Sequence, residues 1–480
     1  MTPSYLQAAN NFQLYPFKSI GFYHWAISIA LSLVLSACAH YQPLPLTEDS
    51  IQQQLQTPSR EQLTIQAAKI KHPLLEPVKF TMEDGLSPDE AAILAVLRNP
   101  ELRVARDQHG IAKAQLLQAG LLPDPQVSYS FSAPSGGTDL SMSNAFGLGL
   151  SWEATALIWR QNKITAAGKQ QQSIDLQIAW QEWQIAQAAK LAAYQLIVYS
   201  RQQALLSEMA QRLEDNRARL QEAAELGLVT ELERVAAVSA KNLVDIRLLA
   251  LKLQIKQQQQ QLNRAMGLKP HEVVNLQQDI ELVAAMNAPA YDALIHNVEN
   301  RRLDLMALKR GYESQEERLH IAVMQQFPQI SIGFNSARDN SNLYTMGFGV
   351  SMTVPIFDRN QGQIALDRAT RQQLFDQYTS RLFQARADIA ELLVTIASIN
   401  KQIQSVRHAI PDLANLVNAY QSGIENGQVD VFNYYVAWNS LTDKKIDLLN
   451  LELQLVQAGI ALEVASGLYH VATDFNEKKL

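Results

Sequence analysis

Two kinds of periodicity alternate along this chain. Four short runs keep a strict period of two: Val127, Tyr129 and Phe131 alternate with Ser128, Ser130 and Ser132, and Phe146, Leu148, Leu150 and Trp152 with Gly147, Gly149 and Ser151. Farther on, Ile330, Ile332 and Phe334 alternate with Ser331, Gly333 and Asn335, and Met346, Phe348, Val350, Met352 and Val354 with Gly347, Gly349, Ser351 and Thr353. Each run predicts a strand with one apolar face and one face of small polar residues. The segments between the paired runs, 132–145 and 336–345, are rich in Ser, Gly, Asn and Asp and predict hairpin loops.

The remaining pattern is helical. Stretches at 88–119 and 291–325 lead into the two hairpins, and much longer ones follow them. Twelve of the 17 prolines lie before position 135, and none occurs in 135–269 or after 411, so long helices are permitted there. The stretch 156–225 has a single glycine, Gly168, and no proline. As one helix it spans about 105 Å at 1.5 Å per residue, a length no compact domain needs. Leu206, Leu213 and Leu220 recur every seven residues with Met209 between, a coiled-coil-like seam. A return helix is predicted from Gly227 to Met266, and the plan recurs over 358–425 and 431–466. Pro411 falls inside the later rod, where it is expected to bend it. The helices are rich in Ala and Gln, including 257–261, which suits packed seams with one wet face but equally an ordinary solvated surface.

The chain reads as written twice. Gly147, Gly149, Gly227, Gly267 and Leu268 recur at Gly347, Gly349, Gly427, Gly467 and Leu468, an offset of 200 each time, while Pro123 corresponds to Pro328 at 205. The extra residues of the first copy fall in its hairpin loop, where length is tolerated. The organisation predicted is a signal peptide over 1–37, a tether over 38–86, a first repeat over 87–288, a second over 289–470 and a tail over 471–480. The tether has scattered prolines and no sustained period, and is expected to be extended.

The lone cysteine, Cys38, ends an apolar run, 26–35, too short to span a bilayer. Disulfides within the chain are thereby excluded. Leu35-Ser36-Ala37-Cys38 resembles the lipobox of bacterial lipoproteins, which implies a covalent lipid on Cys38, and Ala39 after it implies sorting to the outer membrane. An incidental cysteine near a cleavage site is the plainer alternative.

Charge and motifs remove other classes. With 41 basic and 47 acidic residues the net charge is −6, no footprint for nucleic acid. The nine histidines are never closer than sixteen positions, so metal-ligand spacings such as His-x-His are lacking. The Gly-x-Gly pairs lie inside perfect strand alternation and lack a third glycine, so they read as strand glycines rather than a nucleotide loop. Nucleophile elbow, phosphate loop and calcium loop are likewise missing, and neither enzyme activity, catalytic residue, metal site nor cofactor beyond the lipid is expected.

Alternating strands suit a membrane barrel, in which open edges are not tolerated, and bacterial barrels need at least eight strands. Four per chain cannot close, so several chains must contribute. A small soluble β-sandwich with its apolar faces packed together is the alternative. The segments Asn99-Pro100-Glu101-Leu102, Gly120-Leu121-Leu122-Pro123-Asp124-Pro125, Gly227-Leu228-Val229-Thr230 and Pro355-Ile356-Phe357-Asp358-Arg359-Asn360-Gln361-Gly362 resemble recurring segments of the TolC family of outer-membrane efflux proteins, over about 86–469, and the second and last of them are most similar to its heavy-metal cation branch. One departure is 153–157, Glu-Ala-Thr-Ala-Leu, where the family repeats a Pro-aromatic-Asp turn, so the first strand-to-helix junction is expected to be smoother than the second.

The resemblance implies a mixed α and β fold: a homotrimer with one outer-membrane β-barrel over a periplasmic α-helical barrel, passing substrates, heavy-metal cations among them, from an inner-membrane resistance-nodulation-division pump through a periplasmic adaptor protein. A structural or type I secretion-related periplasmic coiled-coil lipoprotein is the second reading. The adaptor would dock at the rod tips, Gly227, Leu228, Val229 and Thr230 and Gly427, Gln428, Val429 and Asp430. Thr230 with Glu233 has capping-box spacing, and Asp430 can cap its counterpart. Those residues equally serve only to stop and start helices. Candidates for an inward acidic constriction are Asp412, Asn418 and Glu425; Asp412 otherwise merely restarts the helix after Pro411.

Overall fold

The computed structural model describes residues 41–55, 65, 75, 85–136, 142–425 and 431–468. Contacts divide the chain into a unit ending at Pro58 and a unit of Ser59–Leu480. In the first, helix α1 (Glu48–Leu55) opens on reciprocal bonds between Thr47 and Ser50, so the tether is not extended throughout. Cys38 and the signal region lie outside the described residues.

The second unit contains α2 (Pro88–Arg98), α3 (Pro100–Gly120), β1 (Gln126–Ser132), β2 (Ala145–Glu153), α4 (Ala156–Glu225) and α5 (Glu231–Ala265). After these come α6 (Tyr291–Ile295), a 3₁₀ turn (Val298–Asn300), α7 (Leu303–Met324), β3 (Ile330–Arg338), β4 (Tyr344–Met352), α8 (Gln361–Glu425) and α9 (Val431–Ser466). Helix, hairpin, long helix and return helix thus occur twice in the same order. Each hairpin-leading helix, expected whole, is broken. Pro100 keeps Asn99 out of helical geometry, and the Asn99 side chain caps α3 by accepting from the amides of Glu101 and Leu102. In the later copy Asn297 takes a left-handed φ of 55° between α6 and the 3₁₀ turn. The 358–360 segment is likewise not helical: Asn360 (φ 60°) turns the chain, and its Nδ2 donates to the Ala322 carbonyl at 2.9 Å.

The helices pack lengthwise: α4 against α2, α3, α5 and α7, and α8 against α7 and α9, with α9 also reaching α4. The seam on α4 forms in part: Met209 and Leu213 are buried against Val244 of α5 and Leu206 is buried too, whereas Leu220 is only half-buried. Near the base of the rods Ile197, Leu262 and Met266 form one core with Leu94 and Ala95 of α2. Ile389, Ile396 and Ile403 of α8 form another with Leu451, Leu455 and Leu462 of α9. By length and composition α9 could cross a membrane, yet half of its most apolar stretch is buried inside the protein.

Two glycines lock the ends of the return helices. Gly267 (φ 61°) approaches Arg98 so closely that a Cβ would stand 2.6 Å from its carbonyl oxygen, and at Gly467 (φ 66°) a Cβ would stand 3.0 Å from Arg301 and Arg302. Beside each, the residue preceding the next long element takes up a freed helix-end carbonyl: Asn99 donates to Ala265 O at 2.9 Å and Arg302 to Ala465 O at 3.2 Å.

Candidate functional site

The strands form one antiparallel sheet in the order β1-β2-β3-β4. Its register places Tyr129 opposite Leu148, Leu150 opposite Phe334 and Phe334 opposite Phe348. All the large apolar side chains therefore share one face. The facing rows, Ser128 with Gly149, Gly149 with Asn335 and Asn335 with Gly347, fill the other. The strands run to Arg338 and begin again at Tyr344, so the second loop is shorter than the composition of 336–345 suggests.

The apolar face has nothing over it: Tyr129 is 69% exposed, Leu148 55%, Met346 75% and Phe348 72%. Among the described residues no helix or second sheet covers it, against a sandwich within the chain. On the small face, a Cβ at Gly149 would come 2.5 Å from Ser128 Oγ and one at Gly147 2.7 Å from Ser130 Oγ, so these glycines leave room for the serines of β1. Polar-capable rings mark both ends of the apolar band. At the loop end Phe146 and Tyr344 meet edge to face at 6.5 Å, with the Arg338 guanidinium 4.8 Å from the Phe146 ring. At the helix end Trp152 Nε1 donates to the Pro123 carbonyl at 2.8 Å. Strands of seven residues (β1) and nine (β2, β3 and β4), tilted, give a band roughly 18–23 Å tall, a little short of the apolar belt of outer-membrane barrels.

The two strand-to-helix junctions differ as the sequence suggests. Ala154 donates to Ile330 O at 2.9 Å and α4 starts two residues later, whereas β4 and α8 are joined by 353–360.

At the far end of α4, Gly227 takes φ 72° with open space around it, and the amides of Gly227 and Leu228 donate to the carbonyls of Ala224 and Ala223. Thr230 and Glu233 form the full capping box: Thr230 N donates to Glu233 Oε2 at 2.7 Å and Glu233 N to Thr230 Oγ1 at 3.3 Å. These bonds from the Thr230 backbone and side chain hold the Glu233 carboxyl below its ordinary range. Leu226, Leu228 and Leu232 are each more than 70% exposed, so the tip is apolar as well as sharp. The counterpart, Gly427, Gln428, Val429 and Asp430, lies outside the described residues.

The three constriction candidates do not share one helix face. Asp412 and Asn418 are both exposed, but six residues separate them, about 120° around the helix, while Asn418 and Glu425 are seven apart and nearly in line. Val417 beside them is buried against Tyr434 and Ala437 of α9. Pro411 does not interrupt α8, which continues through it. Among the described residues no cluster of three or more His, Cys, Asp or Glu is placed to hold a metal ion.

Sequence reasoning missed a charged cluster formed by the buried Lys190 of α4 and Glu463 of α9 with the half-exposed Asp89 of α2. Lys190 Nζ lies 2.7 Å from Asp89 Oδ1, its side chain only 6% exposed, and Glu463 is buried near it. Burial pushes the Glu463 carboxyl up to about 7, against the pull of Lys190 and with a further push from Asp89. Burial also works to lower the Lys190 ammonium, but Asp89, Glu463 and Tyr194 outweigh it and raise it. One cation thus serves two carboxyls, and 273 residues separate Lys190 from Glu463, a pairing no local spacing announces.

Residues 294–468 match the family described as "Outer membrane efflux protein". The match covers the later part of the chain, from α6 to the end of α9, and makes that part similar to the efflux family. The chain is similar to the cobalt-zinc-cadmium resistance protein CzcC of Cupriavidus metallidurans, with 25% identity over 189 residues, which are 38% of this chain and 44% of that relative. The match therefore spans less than half of the relative's length. Among solved structures, the outer membrane protein VceC of Vibrio cholerae superposes with a TM-score of 0.65 at 18% identity, over 79% of this chain and 96% of VceC. The CmeC outer membrane channel of Campylobacter jejuni gives 0.65 at 16%, over 90% and 95%. The mostly helical efflux-protein fold with a small antiparallel sheet is thereby established across both halves of the chain, beyond the segment that the family match covers.

Proposed function

We propose that three copies of this chain form an outer-membrane export channel, their three four-stranded sheets closing one twelve-stranded barrel over a barrel of the long helices. The bare apolar face of the sheet supports this reading most strongly. Its large side chains are solvent-exposed in the single chain, the opposite face is small and polar, and β1 and β4 are edge strands with no further strand beside them among the described residues. Such a sheet is stable in lipid only when its edges are closed by further strands. A purely periplasmic coiled-coil lipoprotein would leave this face in water.

The family and the fold support a passive duct, fed at the tips by an adaptor and an inner-membrane resistance-nodulation-division pump. The likeness to a cobalt-zinc-cadmium resistance protein favours divalent heavy-metal cations as the cargo. In this reading the recurrence at an offset of 200 is an internal repeat, so that the tips near Gly227 and Gly427 present two related but unequal docking points per chain. Cys38 carries the covalent lipid tether, and Cys38→Ser leaves the protein without labelled fatty acid and less firmly held at the membrane.

The reading is tested by deleting the gene from its host and measuring tolerance to cobalt, zinc and cadmium salts beside a panel of organic toxicants. Loss of tolerance to the metals alone supports the cation cargo. Loss confined to organic compounds overturns the cargo assignment and leaves the duct. Unchanged tolerance to all of them, with the protein absent from the outer-membrane fraction, contradicts the export role.

A further inference from the structure

We propose that Glu153 sets the charge preference of the barrel, standing as a ring of three carboxylates where the sheet joins the long helices. The inference rests on the channel reading above and adds a specificity-determining residue to it. Within the four strands the small face bears Ser, Gly, Ala, Thr, Gln and Asn, and Glu153, the last residue of β2, is its one ionisable side chain. Rings of charged side chains give a pore its preference for one sign of ion.

The sequence singles out the same residue. At the offset of 200, Glu153 corresponds to Thr353, which continues the small row just past β4, its amide donating to the Gln329 carbonyl at 3.1 Å. One strand-to-helix junction of each chain thus bears the carboxylate and the other does not. It is the junction at which Glu-Ala-Thr-Ala-Leu departs from the expected turn.

Glu153 pairs with Ser331, which pairs with Ser351, so its neighbours along the row are small hydroxyls. With Asp124 and Gln126 these residues line a cavity of about 330 Å³ at the helix end of the sheet. Thr155 Oγ1 donates to Glu153 Oε1 at 3.3 Å, a contact that positions the carboxylate without neutralising it. Arg160 and Lys163 border it on the side of the helices, and Arg160 is committed to the Gly120 carbonyl at 2.8 Å. Twelve tilted strands about 4.8 Å apart close a barrel about 12 Å in radius, which brings the three carboxylates within about 7 Å of the axis. That is inside the roughly 10 Å over which charges are felt at about 0.1 M salt and outside the roughly 3 Å left at about 1 M.

A single thiol on the lining reads this charge in the detergent-solubilised full-length protein. In a chain carrying Cys38→Ser, Ser151→Cys lies two residues from Glu153 on the same face, and Ser130→Cys, opposite Gly147, lies about 20 Å away toward the loops. Each is labelled with a cationic and with an anionic methanethiosulfonate, with Glu153 in place and with Glu153→Gln. At Ser151→Cys, in about 0.1 M salt, Glu153→Gln should lower the cation-over-anion rate ratio about threefold or more; at Ser130→Cys the ratio should hold. In about 1 M salt the difference should vanish, which a merely structural role of Glu153 would not produce. Glutamine keeps an acceptor for Thr155, and Glu153→Thr, the residue of the other junction, serves if Glu153→Gln fails to assemble. A rate ratio at Ser151→Cys that ignores Glu153, with both thiols labelled, overturns the proposal and leaves the duct. If neither thiol is reached by the reagents while Phe348→Cys on the opposite face is labelled, the small face is not the wet one, and the channel reading falls together with the proposal.

Discussion

Replacing Glu463 by glutamine should remove a measurable part of the protein's dependence on pH. The carboxyl is held at about 7 by burial, against an ordinary 4.5. The folded protein thus binds a proton over a range where the unfolded chain has lost it, and the stability so gained is complete below 4.5 and lost as pH rises through 7. Between pH 8 and pH 5.5 the gain amounts to about 2 kcal/mol per chain, because each tenfold difference in proton affinity is worth about 1.4 kcal/mol. For a protein of this size that is a change of a few degrees in melting temperature, roughly 2–4 °C. The assay is thermal denaturation of the detergent-solubilised protein by circular dichroism at both pH values. Glu463→Gln mimics the protonated side chain, so it should be at least as stable as the natural protein at pH 8 and flatten the profile by about that amount. Lys190→Met, which strips Asp89 and Glu463 of their shared cation, should instead destabilise at both pH values. An unchanged slope in Glu463→Gln would refute the assignment of the titration to this cluster.

The remaining expectations are simpler. Gly267→Ala combines a left-handed backbone with a Cβ 2.6 Å from the Arg98 carbonyl oxygen and should cost more than about 2 kcal/mol in denaturation, whereas Gly227→Ala, with the same backbone but open space, should cost about 1. Thr230→Ala removes the cap of α5 and should speed amide exchange at Leu232 and Glu233 about fivefold, with oligomer assembly unchanged. Phe348→Arg, on the bare apolar face, should block membrane insertion at a cost of about 2–4 kcal/mol, while Gly349→Ser on the small face, where a Cβ meets nothing, should insert normally. Asp412 and Glu425 stand about 140° apart around α8, so of Asp412→Ala and Glu425→Ala, made separately, only one should lower cation selectivity in bilayer recordings; unchanged selectivity in both assigns the constriction to Asn418 or elsewhere.

Most of the architecture was legible because it is built from local rules. Strict alternation marked all four strands, and freedom from proline marked α4 and α5; the limits of α4 match the reading, while α5 starts four residues later, at Glu231, because Thr230 caps it. The capping box at Thr230 was legible for the same reason, since its partners are three residues apart. The breaks at Asn99 and Asn297 were not drawn, although Asn99-Pro100 carries a recognisable cap; the helical periodicity continues across that break and masked it. The placement of Asp412 away from Asn418 follows from the turn angle alone and could have been computed from spacing. The cluster of Asp89, Lys190 and Glu463 could not, because it joins three helices brought together only by packing. Nor could the bareness of the sheet's apolar face, since alternation in a sequence does not say whether a face is covered.

The central claim, that the uncovered sheet faces lipid and is closed by strands of other copies into a conducting pore, is tested most directly by recording from purified protein in planar bilayers. The account predicts uniform conductance steps from a preparation that runs as a heat-resistant trimer. A monomeric preparation without conductance, from a protein that fractionates with soluble periplasmic material, would contradict it.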